Sequence, residues 1–323
     1  MRETLSVTVE NLRGNARMRA ETDKEMSVAW MILPIAPVII GVSIWVAIFA
    51  FTSSISITSF NSTSTGGLTP GAIGSLLALA VVIILLGILG LAFAILNAVM
   101  IYKLVKRRNS HFGRQLLLYQ HLYDALREIG GRKNVDVSIP LNNLDRTMRE
   151  VRIEETPKSS GLWAVLVFLP IIGFFASWYV YYFSMRDFYR HERREDLYIN
   201  DLLGALAVSG VNISLPRRMY PIPDRSFALY LILSIITLRL FDIYWVYVLL
   251  TDPNNHFRQQ WMVEDTFIAQ LSPLLGGPSQ PAYPTYPPSP PPPQYIPPAS
   301  TPIPPAPSPS SADQPFTSPP PPP

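Results

Sequence analysis

The chain contains no cysteine. That excludes disulfides, thiolate-held zinc, iron–sulfur clusters and thioether-linked haem, and it leaves the redox compartment unmarked. Charge is the second shortage: 15% of the 323 residues are charged, against 48% hydrophobic. Four stretches are nearly free of it, residues 28–51, 72–101, 161–183 and 227–250, and the first three carry no charged side chain. A helix with one wetted face needs polar residues on every turn, so these are not surface helices of a soluble domain. Each exceeds the roughly 20 apolar residues that a helix needs to cross a bilayer core. Also missing are a P-loop, a glycine-rich dinucleotide turn, a His-Glu-x-x-His pair and a nucleophile elbow. The expectation is an all-α integral membrane protein with four transmembrane segments, without enzymatic activity, cofactor or nucleic-acid partner.

What charge there is marks sidedness. Lys and Arg favour the cytoplasmic side. They occur in the leader 1–27 (Arg2, Arg13, Arg17, Arg19, Lys24), are absent from 52–71, and return at Lys103, Lys106, Arg107 and Arg108. Residues 28–105 therefore read as a transmembrane hairpin with both ends in the cytoplasm, followed by a basic helix and linker at 106–160. A second membrane part with following helices spans 161–272, and a proline-rich tail 273–323. The loop 184–226 is also basic, yet simple alternation of four crossings, the favoured topology, places it outside. The alternative makes the third and fourth segments re-entrant hairpins, with Pro170 and Gly173 as the kink in one. Both topologies leave the N- and C-termini cytoplasmic, at the cell membrane.

An internal repeat organises the chain. Tyr102, Tyr182 and Tyr247 each precede a histidine by nine positions: His111, His191 and His256. Arg114-Gln115, Arg194-Glu195 and Gln259-Gln260 follow, and Asn97, Ser177 and Asp242 are the matching polar residues inside the segments. Each copy reads as a membrane helix, an aromatic belt of the kind that sits at bilayer interfaces, and a juxtamembrane amphipathic helix beginning near the histidine. In the first copy Phe112, Leu116, Tyr119, Tyr123 and Leu126 form an apolar stripe. Packing against the sister copies is the favoured use of that stripe, with lipid headgroups as the alternative.

The run Leu233-Ser234-Ile235-Ile236-Thr237-Leu238, followed by Phe241-Asp242-Ile243-Tyr244-Trp245-Val246-Tyr247, resembles the signature of an uncharacterised family of prokaryotic membrane proteins, domain of unknown function 4234. The likeness covers residues 226–260. It implies a membrane location and no activity. Arg239 and Asp242 stand where that family usually has glycine.

Among candidate sites, the three histidines read as helix caps and interface packing, with Asn109 and Asn254 two residues upstream of two of them, rather than as a metal site. Arg239 and Asp242 share a helix face and form an intramembrane charge pair, the residue type that marks polar pathways in membranes. Glu154 and Glu155 read as a solvated face of the linker. The tail from 273 holds 23 of the 33 prolines and one charged residue, Asp313. It is expected to be disordered and locally polyproline II. Its Pro292-Pro293-Gln294-Tyr295 fits a Pro-Pro-x-Tyr ligand, so Pro292, Pro293 and Tyr295 are the candidate motif. The leading function is a membrane-embedded scaffold that recruits a cytoplasmic protein through this tail. A small transporter or channel using Arg239 and Asp242 and a membrane-shaping hairpin protein are the alternatives. Beyond the lipid bilayer, a tail-reading protein and a second copy of the chain are the partner classes left open.

Overall fold

The computed structural model describes residues 7–60, 70–169 and 171–277, and among these every regular element is a helix. In order they are α1 (Val7–Arg17), α2 (Arg19–Thr22), a 3₁₀ segment (Val28–Ile35) leading into α3 (Ala36–Phe60), α4 (Pro70–Lys133), α5 (Ser138–Glu154), α6 (Ser160–Phe168), α7 (Ile172–Val208), α8 (Phe227–Ile236) and α9 (Asp242–Leu274). The Pro-Pro-x-Tyr motif at 292–295 lies outside the described residues, as does Pro170.

Two helices are long and apolar enough to cross a bilayer, Val28–Ser53 and Ile73–Lys133. They pack on each other, yet Leu77, Ile84, Leu85 and Ile88 of α4 are exposed. Apolar side chains left bare around a helix are not the core of a bundle and suit an apolar surrounding.

The third and fourth segments depart from the four-crossing expectation. Residues 161–183 fold as α6, a reversal and the start of α7; residues 227–250 fold as α8, a reversal and the start of α9. At 1.5 Å per residue the nine residues of α6 and ten of α8 measure about 14 and 15 Å, half of the roughly 30 Å hydrocarbon core. Each short helix lies against the long one that follows. Trp163 meets Tyr179 and Phe183 at ring-centroid distances of 5.1 and 5.6 Å, and Trp245 meets Tyr230 and Phe227 at 5.4 and 5.9 Å.

The reversals are made by left-handed residues: Ile171 (φ +63°) in one, Leu238 (+50°) and Arg239 (+72°) in the other. In the first, the Gly173 amide donates to the Leu169 carbonyl at 2.8 Å. The chain doubles back so tightly that a Cβ on Gly173 would stand 2.2 Å from the Val167 carbonyl oxygen.

All three first helices begin alike. Ser27, Ser159 and Ser226 each accept a hydrogen bond from a backbone amide in the first turn, those of Ala29, Leu162 and Leu229. Serine caps satisfy amides that have no partner within the helix. The repeat is thus three hairpins, the first long and the other two short.

No new helix starts at the histidines, contrary to the expected juxtamembrane helices. α4, α7 and α9 each continue unbroken from the apolar part into a polar bundle. Pro253 inside α9 cannot donate to the Leu249 carbonyl; Arg107 Nη2 donates to it instead at 2.7 Å. The bundle core joins Tyr119, Leu122 and Leu126 of α4, Tyr198, Leu202 and Leu206 of α7, and Phe267 and Leu271 of α9, with Leu12 of α1 and Leu144 of α5 packed on it. The apolar stripe of the first copy therefore faces its sister copies.

Candidate functional site

Because the long helices of all three copies enter one bundle, the repeat's nine-residue spacing carries its histidines to one level. His111, His191 and His256 form a nearly equilateral triangle, with ring centroids 5.2, 5.3 and 5.5 Å apart and ring planes crossing at 74–81°. All three are fully buried. Phe112, Phe188 and Phe257 wall the triangle; Phe112 stacks on His191 at 4.2 Å and Phe257 lies 4.4 Å from His111. The three rings meet, whereas simple alternation of four crossings would set His191 on the opposite face from the other two.

Every ring turns its Nδ1 to a carboxylate: His111 to Asp23 at 2.9 Å, His191 to Glu155 at 2.9 Å and His256 to Glu192 at 3.1 Å. Every carboxylate is in turn held by an arginine, Arg114 on Asp23 at 2.6 Å, Arg194 on Glu155 at 2.7 Å and Arg218 on Glu192 at 3.1 Å. Glu155 is therefore not part of a solvated face. Asp23 and Glu155 both stand four residues ahead of the capping serine of their hairpin, a spacing visible in the sequence once the caps are known. Arg114 and Arg194 both stand three residues after their histidine. The third copy has Ile222 and Gln259 at those places. There Glu192 arrives from α7, accepts from the Ile222 backbone amide at 2.7 Å, and meets Arg218 of the 209–226 loop.

The asparagines are clamps rather than caps. Asn254 Nδ2 donates to the Met26 carbonyl at 2.9 Å, while its Oδ1 accepts from the Met26 amide at 3.2 Å. Asn109 treats Lys158 in the same way, at 2.6 and 3.1 Å. Both clamped residues immediately precede a capping serine, so the hairpins are fastened to the bundle at their bases.

The electrostatics separate His111 from His191. Burial pushes His111 down to about 3; the other two histidines add to this and Asp23 opposes it. Burial also disfavours charge on His191, but the charge and hydrogen bond of Glu155 outweigh it and raise that ring above the ordinary imidazole value. Glu192 is lowered despite its burial, through His256 and Arg218. In a neutral ring that gives Nδ1–H to a carboxylate, the bare nitrogen is Nε2. His111 Nε2 and His256 Nε2 stand 3.3 Å apart.

No family model, curated protein or solved structure matches this chain.

Arg239 and Asp242 lie at the reversal between α8 and α9, paired Nε to Oδ2 at 2.8 Å. Ser234 donates to the other oxygen of Asp242, Trp178 donates to Ser234 at 3.2 Å, and Arg239 rests 4.7 Å over Phe174. Arg239 lines a cavity of about 540 Å³ together with Asn97 and Ser177, two of the three matched polar positions of the repeat. The structure does not bring this pair near the histidines: one group sits at a hairpin tip, the other inside the polar bundle.

Proposed function

We propose that the chain is a non-enzymatic membrane scaffold. Three hairpins seat it in the bilayer, a helical bundle stands at the cytoplasmic surface, and the proline-rich tail recruits a partner. The observation that carries this reading is the meeting of His111, His191 and His256. It supports a topology with residues 184–226 on the same side as 102–160 and 251–277, in which every basic stretch of the chain obeys the cytoplasmic preference of Lys and Arg. The second and third hairpins enter half of the bilayer and return; only the first crosses it. The absence of cysteine makes labelling direct. Met219, 67% exposed on the disputed loop, is the place for a Met219→Cys probe. A membrane-impermeant thiol reagent is expected to leave it unmodified in intact cells and to label it after lysis. Labelling of intact cells would defeat the topology and the scaffold reading with it. Recruitment is tested separately: deleting 278–323 is expected to leave membrane insertion unchanged and to abolish partner capture from the cytoplasmic fraction.

A further inference from the structure

We infer that His111, His191 and His256 form, with Glu195, a closed binding site for one divalent transition cation of the zinc class that fastens the three hairpins together. The donor set comes from three helices that the chain joins only through long connections. One imidazole nitrogen from each lies within 4.8 Å of the others. Two nitrogens bound about 2.0–2.1 Å from a tetrahedral zinc ion stand about 3.3–3.4 Å apart; His111 Nε2 and His256 Nε2 stand 3.3 Å apart.

That distance also suits a hydrogen bond, but the outer partners weigh against one. A neutral histidine that protonates Nε2 to reach its neighbour turns a bare Nδ1 lone pair onto its carboxylate. Asp23 lies 2.9 Å from the first of those nitrogens and Glu192 3.1 Å from the second, nearer than Arg218 Nη1 at 3.4 Å, so the closest partner of each is an acceptor that calls for an N–H donor. With both protons on Nδ1, two bare Nε2 lone pairs face each other across 3.3 Å in a site sealed from water. A cation between them converts that repulsion into coordination. Histidine donating its second nitrogen to a carboxylate is the regular outer arrangement of metal-ligating imidazoles, and here it occurs three times.

Two further groups belong to the same cluster. His191 Nε2 is buried and has no hydrogen-bond partner. Glu195, one turn after His191 and 1% exposed, brings Oε2 to 3.7 Å from His256 Nε2. The equivalent positions in the other copies are the neutral Gln115 and Gln260, so the level below the triangle offers a single carboxylate. Three imidazoles and one carboxylate suit zinc and its divalent neighbours; hard cations prefer all-oxygen sites and soft ones need sulfur. Four protein ligands leave no open position, the mark of a structural rather than a catalytic site. Arg218, bonded to Glu195 at 3.2 Å, holds that carboxylate in place.

The test uses the full-length chain purified in detergent, stripped with a chelator, reloaded with zinc or Co(II) and passed through gel filtration. The expected result is about one zinc retained per chain. Co(II) should give the visible bands of a four-coordinate site, and thermal unfolding should shift upward on reloading. His191→Gln is expected to lower metal affinity by more than the roughly 10–100-fold typical of losing an outer partner. Retention of metal by that variant at wild-type affinity overturns the site, as does a wild-type chain that holds no zinc and gives no cobalt bands. Should His191→Gln fail to fold, the cobalt spectrum of the native chain decides alone. The loop-labelling experiment above is independent of this outcome.

Discussion

Gly173→Ala is expected to abolish folded protein at the membrane, although it adds a single methyl group. The added Cβ would stand 2.2 Å from the Val167 carbonyl oxygen and 2.8 Å from its carbon. Neither is a side-chain end that can swing aside; both belong to the strand of backbone that must pass there for α6 to turn back on α7. Overlap of this kind is relieved only by opening the reversal. Opening it would pull apart the Trp163–Phe183 contact and draw Lys158 away from Asn109. Glu155, which holds His191, lies on the same connection. The loss therefore spreads from the tip of the hairpin to the histidine triangle. Gly161→Ala is the matched control: a Cβ there meets nothing within 4 Å, and replacing helical glycine by alanine gains about 0.5–1 kcal/mol. Membrane-fraction yield and gel-filtration profile of the two variants make the comparison. Equal yields would show that the second hairpin is not closed as described.

The apolar runs and the tyrosine-to-histidine spacing were legible in the sequence because both are periodic and local. What was not legible is where an apolar run turns back. Leu238 and Arg239 adopt left-handed backbone without glycine, so the usual punctuation is missing. Segment length alone, 23 or 24 residues, reads the same for one full crossing as for two short arms. The histidine site was hidden for a different reason. His111 finds Asp23 at a separation of 88 residues and His256 at 145. Neither contact has a signature until the hairpin topology is settled, and the topology was the ambiguous step. The serine caps and the acid four residues before two of them were present in the sequence, but only knowledge of where each hairpin begins gives them a common frame.

The third copy shows which parts of the repeat are chemistry and which are sequence. It lacks both the acid ahead of its hairpin and the arginine after its histidine, yet His256 meets a carboxylate and the carboxylate meets an arginine. Glu192 and Arg218 come from other places in the chain to supply them. A bundle that needed these positions only for packing would be served by Ile222 and Gln259 as they stand. The recurrence of a carboxylate and an arginine behind each ring favours the same Nδ1–H tautomer in all three, the arrangement of metal-ligating imidazoles.

Asp23 is where the largest electrostatic loss is expected. Its carboxylate accepts from His111 Nδ1 at 2.9 Å, Arg114 Nη2 at 2.6 Å and Trp261 Nε1 at 2.8 Å, with its side chain and those of His111 and Arg114 wholly buried. Burial alone would raise its pKa, but the ring, the guanidinium and the indole together hold it well below the ordinary carboxylate range. Asp23→Ala removes the anion and leaves Arg114 sharing Glu264 with Arg19. Breaking a buried pair by deleting one partner typically costs about 3–5 kcal/mol, because the other charge stays desolvated. Most of the stability of a domain of this size lies within about 5–15 kcal/mol, so the variant should unfold at far lower denaturant. Arg146→Ala, which breaks the exposed i,i+4 pair with Glu150, should cost no more than about 0.5 kcal/mol. Denaturant titrations of helicity for the two variants give the ratio directly. A similar small loss for both would mean that Asp23 is solvated and that the sealed carboxylate–histidine pairing does not exist in the folded chain.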